Sequence, residues 1–216
     1  MPDAATLGVF AAAALALLVV PGPSVLYIVA RGVEGGRSAG LVSMLGVQAG
    51  ALVHILFAAV GLSAVLASSA TAFSIVKWAG AAYLVWLGLR LVLSRDENEA
   101  RFSVSAGTGR QKLSRAFAQG VVVNVFNPKT ALFFLAFLPQ FVDPSSGAAW
   151  AQIAVLGLTF VALAVCTDGL YALLSGTAAG WLRSKGTGFR RGQRLFSGGV
   201  YVALGLATAV SGGGKD

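Results

Sequence analysis

The stretch VVPGPSVLYI, Val19 to Ile28, sets two prolines and a glycine inside a run that is otherwise as apolar as lipid. Pro21 has no N–H to give to the carbonyl of Leu17, and Pro23 has none for that of Val19, so a helix entering this stretch must break. In hydrocarbon an unpaired backbone group is expensive, and such a break persists only where protein or a wet cavity receives the freed carbonyls.

The composition puts the break in a membrane. The 216 residues are 56% hydrophobic and 11% charged, against about 45–50% and about 25% in soluble domains. This is the balance of a polytopic membrane protein. In a soluble domain a net charge of +8 would suggest nucleic acid or acidic partners. Here the placement of the basic residues carries the information, and no nucleic-acid partner is expected. Cys166 is the only cysteine, which excludes a disulfide within the chain and electron transfer through paired cysteines. The opening MPDAATLG lacks the basic region of a cleavable signal, so the first apolar run is expected to stay as a span.

Six segments reach the length of about 20 apolar residues that a crossing helix needs. They lie near Thr6–Ala30, Ala39–Leu66, Thr71–Leu93, Ala116–Phe141, Trp150–Trp181 and Leu195–Val210. Lys and Arg cluster after the first, third and fifth of them, while the connections around SSAT and FVDPSSGAA hold none. By the positive-inside rule the basic loops are cytoplasmic and both termini lie outside. Lys77 is expected to snorkel, and Trp78, Trp150 and Trp181 to anchor at the interfaces. Gly46 with Gly50, and Gly176 with Gly180, are small-residue pairs that let helices approach and would permit a homodimer.

The polar stretch Ser94–Ser114 divides the chain into a first three-helix unit, 1–93, a cytoplasmic linker, 94–115, and a second unit, 116–216. VVPGPSVLYIVA (Val19–Ala30) lies over VFNPKTALFFLA (Val125–Ala136) without a gap, pairing Ser24 with Thr130 and Tyr27 with Phe133. AGAAYLVWLGL (Ala79–Leu89) lies over SGGVYVALGL (Ser197–Leu206) with one residue dropped. Three spans per unit means that the second copy enters from the opposite side, the inverted-repeat plan of many secondary transporters. The expected fold is therefore an all-α integral membrane protein with six transmembrane helices in two inverted three-helix repeats. Helices 1 and 4 break at Pro21, Gly22 and Pro23 and at Asn127, Pro128 and Lys129. Matched breaks point to one shared polar cavity for a small polar ligand, held by freed carbonyls and half-helix N-termini.

Few polar residues stand inside the spans. Lys129 is either a cavity residue, lined up with Asn124 and Asn127 for binding, or a snorkelling cation beside asparagines that cap the break. Asp168 is the one acidic residue within any span. It suits a proton or cation carrier, and it could equally be a counter-ion to Lys129 or sit at a cytoplasmic helix end. His54, the only histidine, could relay protons or tie two helices by a hydrogen bond.

PGPSVLYI, GVQAGALVH, KWAGAAYLVWLGLRL and NVFNPKTALFFLAFLPQFVDP together resemble the LysE/RhtB family of bacterial amino acid exporters, over nearly the whole chain. The resemblance implies a carrier of the bacterial inner membrane that exports amino acids or close derivatives by proton antiport, with no cofactor. Carried over by position, its motif residues are Pro21, Gly22, Pro23, Asn127, Pro128 and Lys129. The expected partners are an amino acid, protons and the lipid bilayer. A metal-cation exporter of the same architecture is the alternative; it would want clustered thiolates, imidazoles or carboxylates. An intramembrane protease would want a nucleophile beside His54, and no such motif is present.

Overall fold

The computed structural model describes residues 1–68 and 112–175, together with single helical positions between 71 and 93 and between 195 and 206. The expected third and sixth spans, most of the 94–115 linker, Lys77, Trp181 and the Gly176–Gly180 pair lie outside the described residues.

Among the described residues every long element is helical. Helix α1 (Ala4–Val19) starts where the Asp3 side chain accepts the Thr6 amide, and stops at Val20, one residue before the prolines. Helix α2 (Pro23–Ser68) begins with proline in its first turn, where the missing N–H is no loss. It is one element only by its hydrogen bonds. At Gly36 the backbone takes φ 78° and ψ −179°, a conformation that favours glycine, and the chain folds back. Residues eight apart in a straight helix stand about 12 Å apart. Across the bend, a Cβ on Gly40 would meet the Cα of Gly32 at 3.2 Å. The connection expected between the first two spans is thus this bend.

Helix α3 (Leu113–Val125) ends just before Asn127, whose side chain caps α4 (Pro128–Leu132). The helices on either side of this break are bent by 48°. A π-helical turn (Phe133–Phe137) and a 3-10 turn (Leu138–Phe141) continue the path, an irregularity that the sequence expectation of one helix to Phe141 did not contain. Pro139, with no N–H to give, lies in the 3-10 turn. Helix α5 (Ala149–Leu173) is unbroken.

The length and apolarity of α2, of α5 and of the bent α3–α4 path suit crossing a membrane. Apolar side chains such as Leu56, Phe57, Val60, Val122 and Leu158 point outward, as a lipid-facing surface requires. Breaks stand at PGP and NPK as expected. The two ends of the bundle are also distinguishable. The amino group of Met1 donates to the carbonyl of Ser146, which puts the N-terminus and the Val142–Ala148 connection at one end. At the other, Tyr27 Oη donates to the carbonyl of Ala116 at 2.6 Å, and Gly32 packs on Ser175. Arg31 is on the helix rather than in a loop, buried, with Nη1 3.1 Å from Glu34 and its guanidinium over the Tyr27 ring.

Two contacts set the helix spacing. Around Phe10, Phe133, Phe137 and Phe160 a cluster of rings joins α1, the irregular end of the α3–α4 path and α5. Below it α2 and α3 touch through glycine. A Cβ on Gly120 would lie 2.6 Å from the carbonyl oxygen of Ser43, and one on Gly50 would lie 2.8 Å from both Asn124 Cβ and the Val121 carbonyl oxygen. The Gly46–Gly50 pair therefore serves a contact within the chain, against α3. Gly120→Ala must push backbone against backbone and is expected to lower stability by about 1–3 kcal/mol. Gly8→Ala, with nothing within 4 Å, is expected to leave it unchanged or raise it. Thermal unfolding of the detergent-purified variants checks both.

Candidate functional site

A carbonyl freed by proline needs a donor, and tracing the donors defines the site. The Val19 carbonyl, which Pro23 cannot reach, accepts from Tyr171 Oη of α5 at 3.0 Å. The Val20 carbonyl, exposed where α1 stops, accepts from Lys129 Nζ at 2.6 Å. The Asn124 carbonyl, freed by Pro128, is 3.0 Å from His54 Nε2 and also accepts the Asn127 amide at 3.0 Å. A carbonyl only accepts, so His54 must carry its proton on Nε2 here. The carbonyls of Val19, Val20 and Asn124 are thus taken by side chains from other helices.

The breaks are also tied to one another. Ser24, one residue into α2, and Thr130, in α4, donate to the same oxygen, Asn124 Oδ1, at 3.1 and 2.9 Å. Asn127 Nδ2 donates to Ser24 Oγ at 2.7 Å, while its Oδ1 accepts the Lys129 amide at 3.0 Å and so caps α4. Asn124 Nδ2 donates to the Val47 carbonyl at 2.7 Å. Both asparagines are buried, and these bonds fix their side chains on each other and on the serine.

Beside this knot lies a cavity of about 30 Å³. Its polar wall is Ser24, Gln48, Asn124, Asn127, Lys129, Thr130 and Asp168, and its apolar wall comes from Leu17, Leu18, Val25, Val47, Phe160 and Ala164. Gly22 is part of the lining because a Cβ there would stand 3.2 Å from Lys129 Cδ. Asp168 is buried in α5, and its Oδ2 accepts from Gln48 Nε2 at 2.9 Å. The two charges face one cavity without forming an ion pair within 4.0 Å. A cavity of this size holds water and is too small for an amino acid.

The structure brings Gly22, Asn124, Asn127, Lys129 and Asp168 together at this cavity. Pro21, Pro23 and Pro128 act on the backbone and do not line it. His54 stands apart from the cavity, stacked on Phe134 with centroids 6.0 Å apart and planes 3° from parallel. Sequence reasoning had not assigned Gln48, Tyr171 or the Ser24 and Thr130 hydroxyls. For the hydroxyls a signal existed: they occupy the same position in the two aligned stretches.

Comparison with known proteins identifies the family. The family model for LysE type translocators matches residues 15–212. An uncharacterized membrane protein of Vibrio cholerae is 33% identical over 200 residues, covering 92% of this chain and 93% of its own. A homoserine/homoserine lactone efflux protein of Salmonella typhimurium is 33% identical over 165 residues, covering 76% of this chain and 77% of its own. A leucine efflux protein of an Enterobacter strain is 31% identical over 143 residues, 66% of each chain. No solved structure is a significant match. With two broken helices tied around a small polar cavity, and a family model over nearly its whole length, the chain belongs to the LysE type translocators and is a membrane transporter, not an enzyme.

Proposed function

We propose that this protein exports amino acids or close derivatives from the cytoplasm, by alternating access and in exchange for protons. The observation that carries the reading is the contact between Lys129 Nζ and the Val20 carbonyl, with Asp168 on the same cavity wall. An ammonium group already bonded to a bare carbonyl is half of what an amino acid would bring. A zwitterion entering between them gives its carboxylate to Lys129 and its ammonium to the Val20 oxygen and Asp168, replacing one charge-assisted contact with several. Homologues named for homoserine and leucine efflux support the same cargo class.

The cavity must widen to admit that cargo, and the breaks are where it can. Val20 to Gly22 joins α1 to α2 at the break between the two helices, so α1 can swing there once Lys129 lets go. Asp168 takes the proton on the return path. Its single described bond, from Gln48, leaves the other carboxylate oxygen for a proton or a cargo ammonium. His54 holds the Asn124 carbonyl and takes no part in proton movement. The two units are inverted repeats about this knot, which would explain why Ser24 and Thr130 meet on one asparagine oxygen. The end bearing Arg31, Arg37, Lys112 and Arg115 faces the cytoplasm of a bacterial inner membrane, and the Met1–Ser146 end faces outward.

Among the described residues no three His, Cys, Asp or Glu side chains gather, and nothing specific favours a metal cation as cargo.

Efflux from proteoliposomes loaded with mixed labelled amino acids tests the cargo. Loss of one class, faster under an imposed proton gradient, is expected; retention of every amino acid by folded, inserted protein overturns the proposal. Two substitutions test the roles. Lys129→Met removes one charge-assisted bond and is expected to raise KM about 10- to 100-fold. Asp168→Asn is expected to keep exchange of cargo for cargo while losing stimulation by the gradient. Wild-type KM in the first, or an intact gradient response in the second, sinks the corresponding role.

A further inference from the structure

Resting on the reading of the site as an amino acid carrier, we propose that Ala164 and Phe160 are its specificity-determining residues, and that they restrict the cargo to amino acids with short, uncharged side chains.

Phe160, Ala164 and Asp168 follow one another at intervals of four on α5, so they form a single stripe, and all three line the cavity. At a rise of 1.5 Å per residue, Ala164 stands about 6 Å and Phe160 about 12 Å along the axis from Asp168. Because the three share one unbroken helix, this spacing survives whatever movement opens the cavity. With the cargo ammonium at Asp168, its side chain runs along the stripe past Ala164 and toward the Phe160 ring. Leu17 of α1 and Val25 of α2 wall the same space with carbon.

Both ends of the stripe are fixed. Phe160 is wedged between Phe133 and Phe134, with centroids 4.8 and 5.1 Å away, and is 3% exposed. It cannot turn aside for a longer side chain. Ala164 is 2% exposed and is the smallest residue of the lining apart from Gly22, so it marks where the cavity can take bulk.

Charge counting selects against basic and acidic side chains. The lining holds one cation, Lys129, and one anion, Asp168. The cargo's own carboxylate and ammonium engage both. A third charge would come to rest against Phe160, Leu17 and Val25 with no partner, which the low dielectric of the site penalises heavily. The asparagine, serine and threonine groups offer no rescue, since their bonds are engaged with one another.

Proteoliposome efflux of alanine, valine, leucine, homoserine, phenylalanine, lysine and glutamate, measured for wild type and two variants, tests this. Wild type is expected to carry the small uncharged members and to leave lysine, glutamate and phenylalanine behind. Ala164→Leu is expected to lower kcat/KM for leucine at least about tenfold relative to alanine, the scale on which a pocket discriminates by a few methylenes. Ala164→Gly, which adds no bulk and keeps the protein assembled if the larger side chain does not, is expected to shift preference the other way, toward phenylalanine. Efficient wild-type transport of lysine or glutamate overturns the inference while leaving the exporter reading intact. So does a preference unchanged in Ala164→Gly and in whichever of the two variants folds. Transport of no amino acid by wild type removes the exporter reading itself, and this inference with it.

Discussion

A carbonyl that loses its helical partner inside hydrocarbon must find another, and most of this structure answers that constraint. Prolines at PGP and NPK release the carbonyls of Val19 and Asn124, and the end of α1 exposes that of Val20. Tyr171, His54 and Lys129 take them, each from a different helix. Those contacts reach across 152, 70 and 109 residues of sequence respectively, so closing the breaks also fixes how α1, α2, the α3–α4 path and α5 sit against one another. The polar knot at Asn124 then lies where the breaks meet, and the cavity lies beside the knot. Backbone satisfaction and site construction are one arrangement.

Such bonds need short distances, which the glycines supply. Asn124 reaches the Val47 carbonyl because Gly50 and Gly120 let α2 and α3 approach until a methyl group would collide with backbone. Larger residues at these positions would move the helices apart and lengthen every contact in the knot. In a bilayer, where apolar side chains gain little by meeting one another instead of lipid, close backbone approach and interhelical hydrogen bonds are the main sources of association.

The sequence carried the breaks and the residues around them well. PGP and NPK are local facts of proline chemistry, and the alignment of two twelve-residue stretches pairs Ser24 with Thr130, which meet on one oxygen in the structure. What it did not carry is which donor reaches which carbonyl. Tyr171 looked like any aromatic residue in an apolar helix, because its partner is far away in sequence and only the packing of α5 on α1 brings them together. Gln48 was invisible as a partner of Asp168 for the same reason. Arg31 stays on the helix because Tyr27 and Glu34, one turn to either side, engage its guanidinium. The π-helical turn at Phe133–Phe137 had no local mark beyond Pro139, and aromatic packing against Phe10 and Phe160 accompanies it.

On the proposed reading, Lys129 resting on the Val20 carbonyl occupies with its own ammonium the oxygen that a cargo ammonium would take. An ammonium from outside has to evict an ammonium that is tethered beside its partner, at an effective concentration that free solute seldom matches. Only accumulation would tip the competition. On that account the bond within the chain would set a threshold that cargo has to exceed before it takes the Val20 oxygen.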